Sequence, residues 1–254
     1  MKDSIFIANP GYGVGTQNLP AQLAAYRGGN DARTCHHFEI TGSLLTWCFN
    51  TAWATALNLK ETVGLTHFLL WHADVRPVGQ DWLDVLLSEM KASGADVLSA
   101  IIPIKDSRGL TSTARDSDPW QPIRVTQHEA QRILPQTWTS DDVLLNTGLM
   151  LVDFTKDWVY KVKFTMQDQI VRRPDGKWTA LIEPEDWNFS RQCHRFGLKL
   201  VATRAVVVEH FGQGCWRSDA AWGAEIDTQN VPLPEPIIPD EPGVRRLELV
   251  ASNG

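Results

Sequence analysis

Two short stretches hold the side chains best suited to chemistry. The first is His72-Ala73-Asp74, which closes the apolar run 68–71. A carboxylate two residues after an imidazole suits a divalent cation or a phosphate-bearing ligand. The competing reading is a strand-end residue that caps the next helix. The second stretch is Glu185-Asp186, in the first turn of a helix expected from about residue 183, with Pro184 where a first turn accepts it and Gly197 after the end. Carboxylates in a first turn gain roughly 0.3–1 kcal/mol from the helix dipole and need no chemistry to explain them. Asp186, however, repeats with Phe189, Cys193 and Phe196 at spacings of 3, 4 and 3. That periodicity predicts an Asp186 in line with the core-facing stripe and a Glu185 rotated away from it. An inward carboxylate at the start of a helix is a candidate for proton transfer. His210, at a strand end before Phe211-Gly212-Gln213-Gly214, reads either as a metal ligand or as a packed imidazole.

These groups need elements to hold them. Phe68-Leu69-Leu70-Trp71 has the length and composition of a strand buried on both faces of a parallel sheet. Arg76-Pro77-Val78-Gly79 stops it, and α/β sheets hold their ligands at such C-terminal strand ends. Ahead of it the pattern predicts a strand over 4–8, a glycine-bearing loop over 9–15 without a phosphate-loop or dinucleotide signature, and a helix over 18–26. A strand over 36–40 and an amphipathic helix over 44–59 follow, with Leu44, Trp47, Cys48, Thr51, Ala52, Thr55 and Leu59 as the inward stripe. Cys35, His36 and His37 alternate faces on a strand and cannot jointly ligate one ion. Asn50, in mid-helix, faces either a ligand or water. A helix over 80–91 and a strand over 95–104 complete a right-handed parallel crossover.

The second half is less regular. Residues 105–140 read as an irregular lid or acceptor loop. A strand over 144–153 carries a small-residue turn at Thr147-Gly148, and residues 165–180 form a hairpin or flap holding Arg172, Arg173 and Lys177. Strands over 198–203 and 205–209 lead to His210, and beyond Asn230 a proline-bearing tail shows no core of its own.

Composition narrows the function. The 254 residues, 43% hydrophobic and 21% charged, suit one large α/β domain or two small ones. No apolar run approaches the roughly 18 residues of a bilayer span, and Met1 to Ile7 enters a strand pattern without a signal peptide, so a cytoplasmic protein is expected. Four cysteines without CxxC spacing read as reduced thiols rather than a zinc or disulfide framework. A net charge of −6 gives no general reason to bind nucleic acid. An acidic chain that binds a nucleoside diphosphate needs a cation or local basic groups to offset the repulsion. The 11 tryptophans suit core packing or sugar and base stacking.

In this order the landmarks resemble the GT-A glycosyltransferases, the nucleotide-diphospho-sugar transferase superfamily of the family 2 type, over about residues 4–212. The segments that carry the likeness are Ile5-Phe6-Ile7-Ala8-Asn9-Pro10, Leu69-Leu70-Trp71-His72-Ala73-Asp74-Val75, Asn146-Thr147-Gly148-Leu149-Met150, Glu185-Asp186-Trp187-Asn188-Phe189 and Val208-Glu209-His210-Phe211-Gly212. The resemblance implies a Rossmann-like α/β fold, with a mostly parallel central sheet flanked by helices and a smaller acceptor-side sheet. It implies a single domain over 1–230, with a nucleotide-binding half over 1–104 and an acceptor half over 105–230, followed by the tail over 231–254. The activity implied is transfer of a hexosyl group from a nucleotide sugar, in the first instance a UDP-sugar, with Mn²⁺ or Mg²⁺ held by an Asp-x-Asp motif.

Here His72 replaces the first Asp of that motif. By the resemblance Asp74 and His210 hold the metal, and His72 contacts metal or nucleotide. Asn9 and Pro10 lie beside the nucleoside, and Asn50 approaches the ribose or phosphate side. Asp186 is the general base in inverting relatives. In retaining relatives the same helix start has a different task, so Glu185-Asp186 leaves the stereochemical outcome open. The altered motif keeps open a catalytically silent nucleotide-sugar or carbohydrate-binding protein. A nucleotidyltransferase is a further alternative, although its glycine-rich basic signature near the first strand is missing. The acceptor hydroxyl is unassigned, a modified nucleic-acid base among the possibilities.

Overall fold

The computed structural model describes residues 2–11, 33–118 and 120–220. The expected helix over 18–26, the loop beyond Gly11 and the tail over 231–254 lie outside them. In chain order the elements are β1 (Asp3–Gly11), β2 (Arg33–Thr41), α1 (Leu45–Val63), β3 (His67–Trp71), β4 (Val75–Pro77), α2 (Trp82–Ser93) and β5 (Val97–Ala100). Then come β6 (Leu110–Arg115), β7 (Ile123–Thr126), α3 (Gln127–Arg132), β8 (Thr137–Trp138), β9 (Val143–Leu144), β10 (Leu149–Asp153), β11 (Gln167–Arg172) and β12 (Trp178–Glu183). The last are α4 (Glu185–Arg195), β13 (Leu200–Thr203), β14 (Val208–Phe211) and β15 (Cys215–Arg217).

Seven strands form the main sheet in the order β2-β1-β3-β10-β5-β13-β8. β1 pairs in parallel with both β2 and β3, and β13 with β5. β10 runs antiparallel between β3 and β5, and β8 closes the edge antiparallel to β13. The mostly parallel sheet expected from the sequence is present as a mixed one, with β10 and β8 running against the other strands, and the crossover strands β3 and β5 have the same direction but are not neighbours. Three small sheets, β11-β12, β15-β14-β4 and β7-β6-β9, are attached to it.

β3 shows why the sheet forms. Phe68, Leu69, Leu70 and Trp71 are all 0% exposed. Alternation sends Phe68 and Leu70 into one core layer, with Phe49 and Trp53 of α1, and Leu69 and Trp71 into the other, with Leu83 and Leu86 of α2. Burying each such side chain contributes roughly 1.5–3 kcal/mol. No helix among the described residues is long and apolar enough to cross a membrane.

Three expectations change. The inward stripe of α1 is Cys48, Phe49, Ala52, Trp53 and Ala56, while Leu44 and Trp47 are 67% and 56% exposed. The two large aromatics at 49 and 53 take the core-facing side and rotate the stripe. Residues 105–140 are not an irregular loop: they carry β6, β7, α3 and β8. β6 is legible only in space, because its buried members Thr111 and Thr113 are polar, and the Thr111 hydroxyl donates to the Val125 carbonyl at 2.8 Å. The strand expected over 144–153 splits into β9 and β10 around residues 145–148. There Leu145 N–H donates to the Ser190 hydroxyl at 2.9 Å, and the Asn146 side-chain amide to the Ala100 carbonyl at 2.8 Å.

Candidate active site

The C-terminal ends of β1, β3 and β5 and the start of the antiparallel β10 share one edge of the sheet. Immediately past β3, His72 N–H donates to the Gly148 carbonyl at 2.9 Å and Ala73 N–H to the Pro10 carbonyl at 3.1 Å, which fixes the His72-Ala73-Asp74 turn. β14 then pairs with β4, placing His210 opposite Val75, and Phe211 N–H donates to the Asp74 carbonyl at 2.8 Å. Asp74 and His210, far apart in the chain, thus become neighbours, with His210 Nε2 3.5 Å from Asp74 Oδ2.

Lys105 Nζ donates to the same Oδ2 of Asp74. Burial opposes the charged carboxylate, but the hydrogen bonds from His210 and Lys105 outweigh it and hold Asp74 well below the usual carboxylate range. His72 is turned inward. Its ring centroid lies 5.0 Å from that of Phe49, its Nε2 is 3.3 Å from the Thr147 hydroxyl, and burial pushes its pKa down to about 4. It is a neutral imidazole at pH 7.

The second cluster lies at the start of α4. Glu183 and Asp116 both bind Arg191, with Arg191 Nε 3.0 Å from Asp116 Oδ2, and Asn188 Nδ2 donates to Glu183 at 2.9 Å. Those contacts set the first turn. Asp186 is raised to about 7, first by burial and then by the charge of Glu185; the Trp187 N–H, donating to it at 2.8 Å, and Arg124 pull the other way. Arg124 lies 4.6 Å over the Trp187 ring and donates to the Thr111 carbonyl at 3.1 Å. Glu185 is not rotated away as the periodicity predicted: it is buried, and burial raises its pKa. Phe196 falls beyond the helix and is 47% exposed, so the inward stripe ends at Cys193.

Two chain segments connect the clusters. Ser190 of α4 donates to the Asp186 carbonyl at 3.0 Å and accepts from Leu145 N–H, two residues before the Thr147 that touches His72. On the other side, Pro103 accepts from His210 Nδ1 at 2.7 Å and bridges Thr111, and Ser112 accepts from the Trp187 indole at 3.2 Å. Asp74, Lys105 and His210 therefore belong to the same framework as Asp186 and Arg124.

The other expected site residues are hydrogen-bonded to the protein's own backbone. Asn50 Nδ2 donates to the Phe164 carbonyl at 2.7 Å and its Oδ1 accepts from Phe164 N–H at 2.9 Å, so both ends of its amide clamp a backbone segment rather than approach a ribose or phosphate. Asn9 is buried with its Nδ2 on the Trp71 carbonyl at 2.6 Å, and Pro10 holds the Ala73 N–H. Both shape the end of β3. Lys105 and Arg124 were not singled out from the sequence. Lys105 carried a usable signal, the first charge after a buried strand, the same signal that marked Asp74.

The expected metal set is not assembled. Asp74 is engaged by an ammonium, His72 faces Thr147 and Phe49, and among the described residues no group of three or more His, Cys, Asp or Glu side chains is placed to hold an ion. As arranged, these residues do not fit a resident divalent cation.

Fold and site together define a mixed α/β protein with its polar side chains gathered at the C-terminal edge of the parallel strands. No protein-family model matches the chain, and no curated protein matches it in sequence. Among solved structures it is similar to A197 from STIV, with 15% identity, a TM-score of 0.50, and 83% of this chain and 86% of that chain covered. Apo UDP-glucose pyrophosphorylase aligns with 9% identity and a TM-score of 0.40, over 85% of this chain and 92% of that one. The first likeness shows a shared fold.

Proposed function

We propose that this chain is a glycosyltransferase that moves a sugar from a nucleoside-diphosphate donor to a hydroxyl acceptor, with Asp186 as general base. The observation that carries the reading is a half-buried carboxylate raised to about 7, in one framework with a carboxylate, ammonium and imidazole cluster at the ligand-binding edge of the sheet. A base is most effective when its pKa lies near the working pH. In the reaction the acceptor hydroxyl gives its proton to Asp186 as its oxygen bonds to the anomeric carbon, while the bond from that carbon to the diphosphate oxygen breaks and its electron pair leaves with the nucleotide. Attack from the base side inverts the anomeric centre. Arg124 and the Trp187 N–H steady the carboxylate, and Glu185 keeps its proton affinity high.

The test is a panel of labelled nucleotide sugars, UDP-sugars first, scored for release of the nucleoside diphosphate. Turnover of at least one donor is expected. Asp186→Asn should lower it by about 10²- to 10⁴-fold, the range for removing a general base, with donor affinity retained. The wild-type rate should climb about tenfold per pH unit up to near pH 7 and then level off, because the base acts only when deprotonated. Donor binding without turnover of any donor would make this a binding protein. Synthesis of a nucleotide sugar from a nucleoside triphosphate and a sugar phosphate would make it a nucleotidyltransferase.

A further inference from the structure

We infer that Lys105 is the cation for the donor diphosphate, standing where the resemblance places a divalent metal, with Asp74 and His210 as the residues that position it. This rests on reading the strand edge as the donor site.

Three observations carry the inference. Lys105 Nζ is hydrogen-bonded to Asp74, and an ammonium has three donors, so one such bond leaves others to meet phosphate oxygens. The stem of the side chain packs against the backbone of Gly212, where a Cβ would lie 2.8 Å from Lys105 Cδ. The backbone beneath it is also fixed, with Ile104 N–H donating to the Leu110 carbonyl at 3.0 Å and Pro103 bridging Thr111.

His210 completes the seat. The Pro103 carbonyl can only accept, so Nδ1 carries the hydrogen of that 2.7 Å bond. That bond holds the ring so that Nε2 lies 3.5 Å from Asp74 Oδ2. The carboxylate favours a cation, and the ammonium supplies one without dissociating from the chain. Where the family pattern would have an aspartate, His72 adds no charge and is turned toward Thr147. One carboxylate and a tethered ammonium leave the seat without the excess negative charge that a metal bridging two anions requires.

The experiment measures binding of UDP and of inorganic pyrophosphate by calorimetry, in EDTA and in Mn²⁺, for the wild type and for Lys105→Met and Lys105→Arg. Wild-type affinity should be the same with and without Mn²⁺. Lys105→Met should bind about 10- to 100-fold more weakly in EDTA, the range for losing a charge-assisted hydrogen bond, and should regain affinity in Mn²⁺, because Asp74 and His210 are then free to take the ion. Lys105→Arg should bind within a few-fold of the wild type in EDTA, which separates loss of the cation from loss of the fold. Wild-type binding of UDP that disappears in EDTA, or a Lys105→Met protein that binds like the wild type in EDTA, overturns the inference and leaves the donor site standing. Metal-independent pyrophosphate binding without affinity for UDP or any other nucleoside diphosphate upholds the lysine site and removes the nucleotide-donor reading. Binding of neither ligand overturns both.

Discussion

A carboxylate held near pKa 7 has a consequence for stability that can be measured apart from activity. In the unfolded chain Asp186 ionises near its ordinary value of 3.8, and in the folded protein near 7. Below 3.8 it is protonated in both states. Between the two values the unfolded chain releases the proton more readily, so stability falls as pH rises, and above about 7 the whole penalty is present. A neutral amide in its place would carry no such penalty. Asp186→Asn should therefore be more stable than the wild type at pH 8, by about 1–2 kcal/mol once solvent screening of a half-buried group is discounted, and nearly equal to it at pH 4. Urea midpoints at the two pH values read this directly, and an unchanged difference would mean that the folded protein does not disfavour the charge. His72 titrates in the opposite sense, since burial weakens its proton affinity and the fold loses stability as pH drops from about 6.5 toward 4. It is common to both proteins and cancels. At this scale the sequence exposed Asp74, His210 and Asp186, because strand ends and helix starts are punctuated by charge, proline and glycine. Asn50 misled, since a mid-helix asparagine looks the same whether it meets a ligand or the Phe164 backbone.

The elements that place these residues meet at Gly148, where β10 begins. A Cβ there would lie 2.5 Å from Ile102 Cδ1 and 3.3 Å from Val75 Cγ2, side chains two residues past β5 and at the start of β4. Both are buried, so neither can swing into solvent. Gly148→Ala should cost about 1–3 kcal/mol, the usual scale for overpacking. It should also loosen the His72 N–H bond to the Gly148 carbonyl, and with it the turn that carries Asp74. Ile102→Val removes the nearer methyl, so the double variant should regain part of the loss. A positive coupling in the four-protein cycle is the expected reading, and strict additivity would place the strain elsewhere. The glycine was visible in the sequence as a sign of close approach, but its partners were not. Long-range neighbours such as β4 and β14, or the insertion of β10 between β3 and β5, leave no local periodicity. The small sheet of β6, β7 and β9 was missed for a related reason: buried threonines, Thr111 bonded to backbone and Thr113 to the Asn146 side chain, replace the apolar alternation that marks a strand.

Across the molecule, one side chain joins segments that the sequence keeps far apart. Trp53 of α1 is 3% exposed, and its ring centroid lies between 4.8 and 6.5 Å from those of Phe68 on β3, Phe154 and Trp158 after β10, Phe164, and Phe189 on α4. Its indole N–H also donates to the Val159 carbonyl at 2.9 Å. The core layer that Phe189 of α4 joins is thus built from residues 53 to 189. Trp53→Ala would leave a large cavity and an unpaired carbonyl, at about 3–5 kcal/mol. That is a large fraction of the roughly 5–15 kcal/mol by which a domain is stable. Because the same ring supports both halves, unfolding followed by far-ultraviolet and by near-ultraviolet circular dichroism should shift together, with one midpoint for both signals. Two separated transitions in the variant would show that the halves fold as independent units and that the Trp53 layer does not couple them.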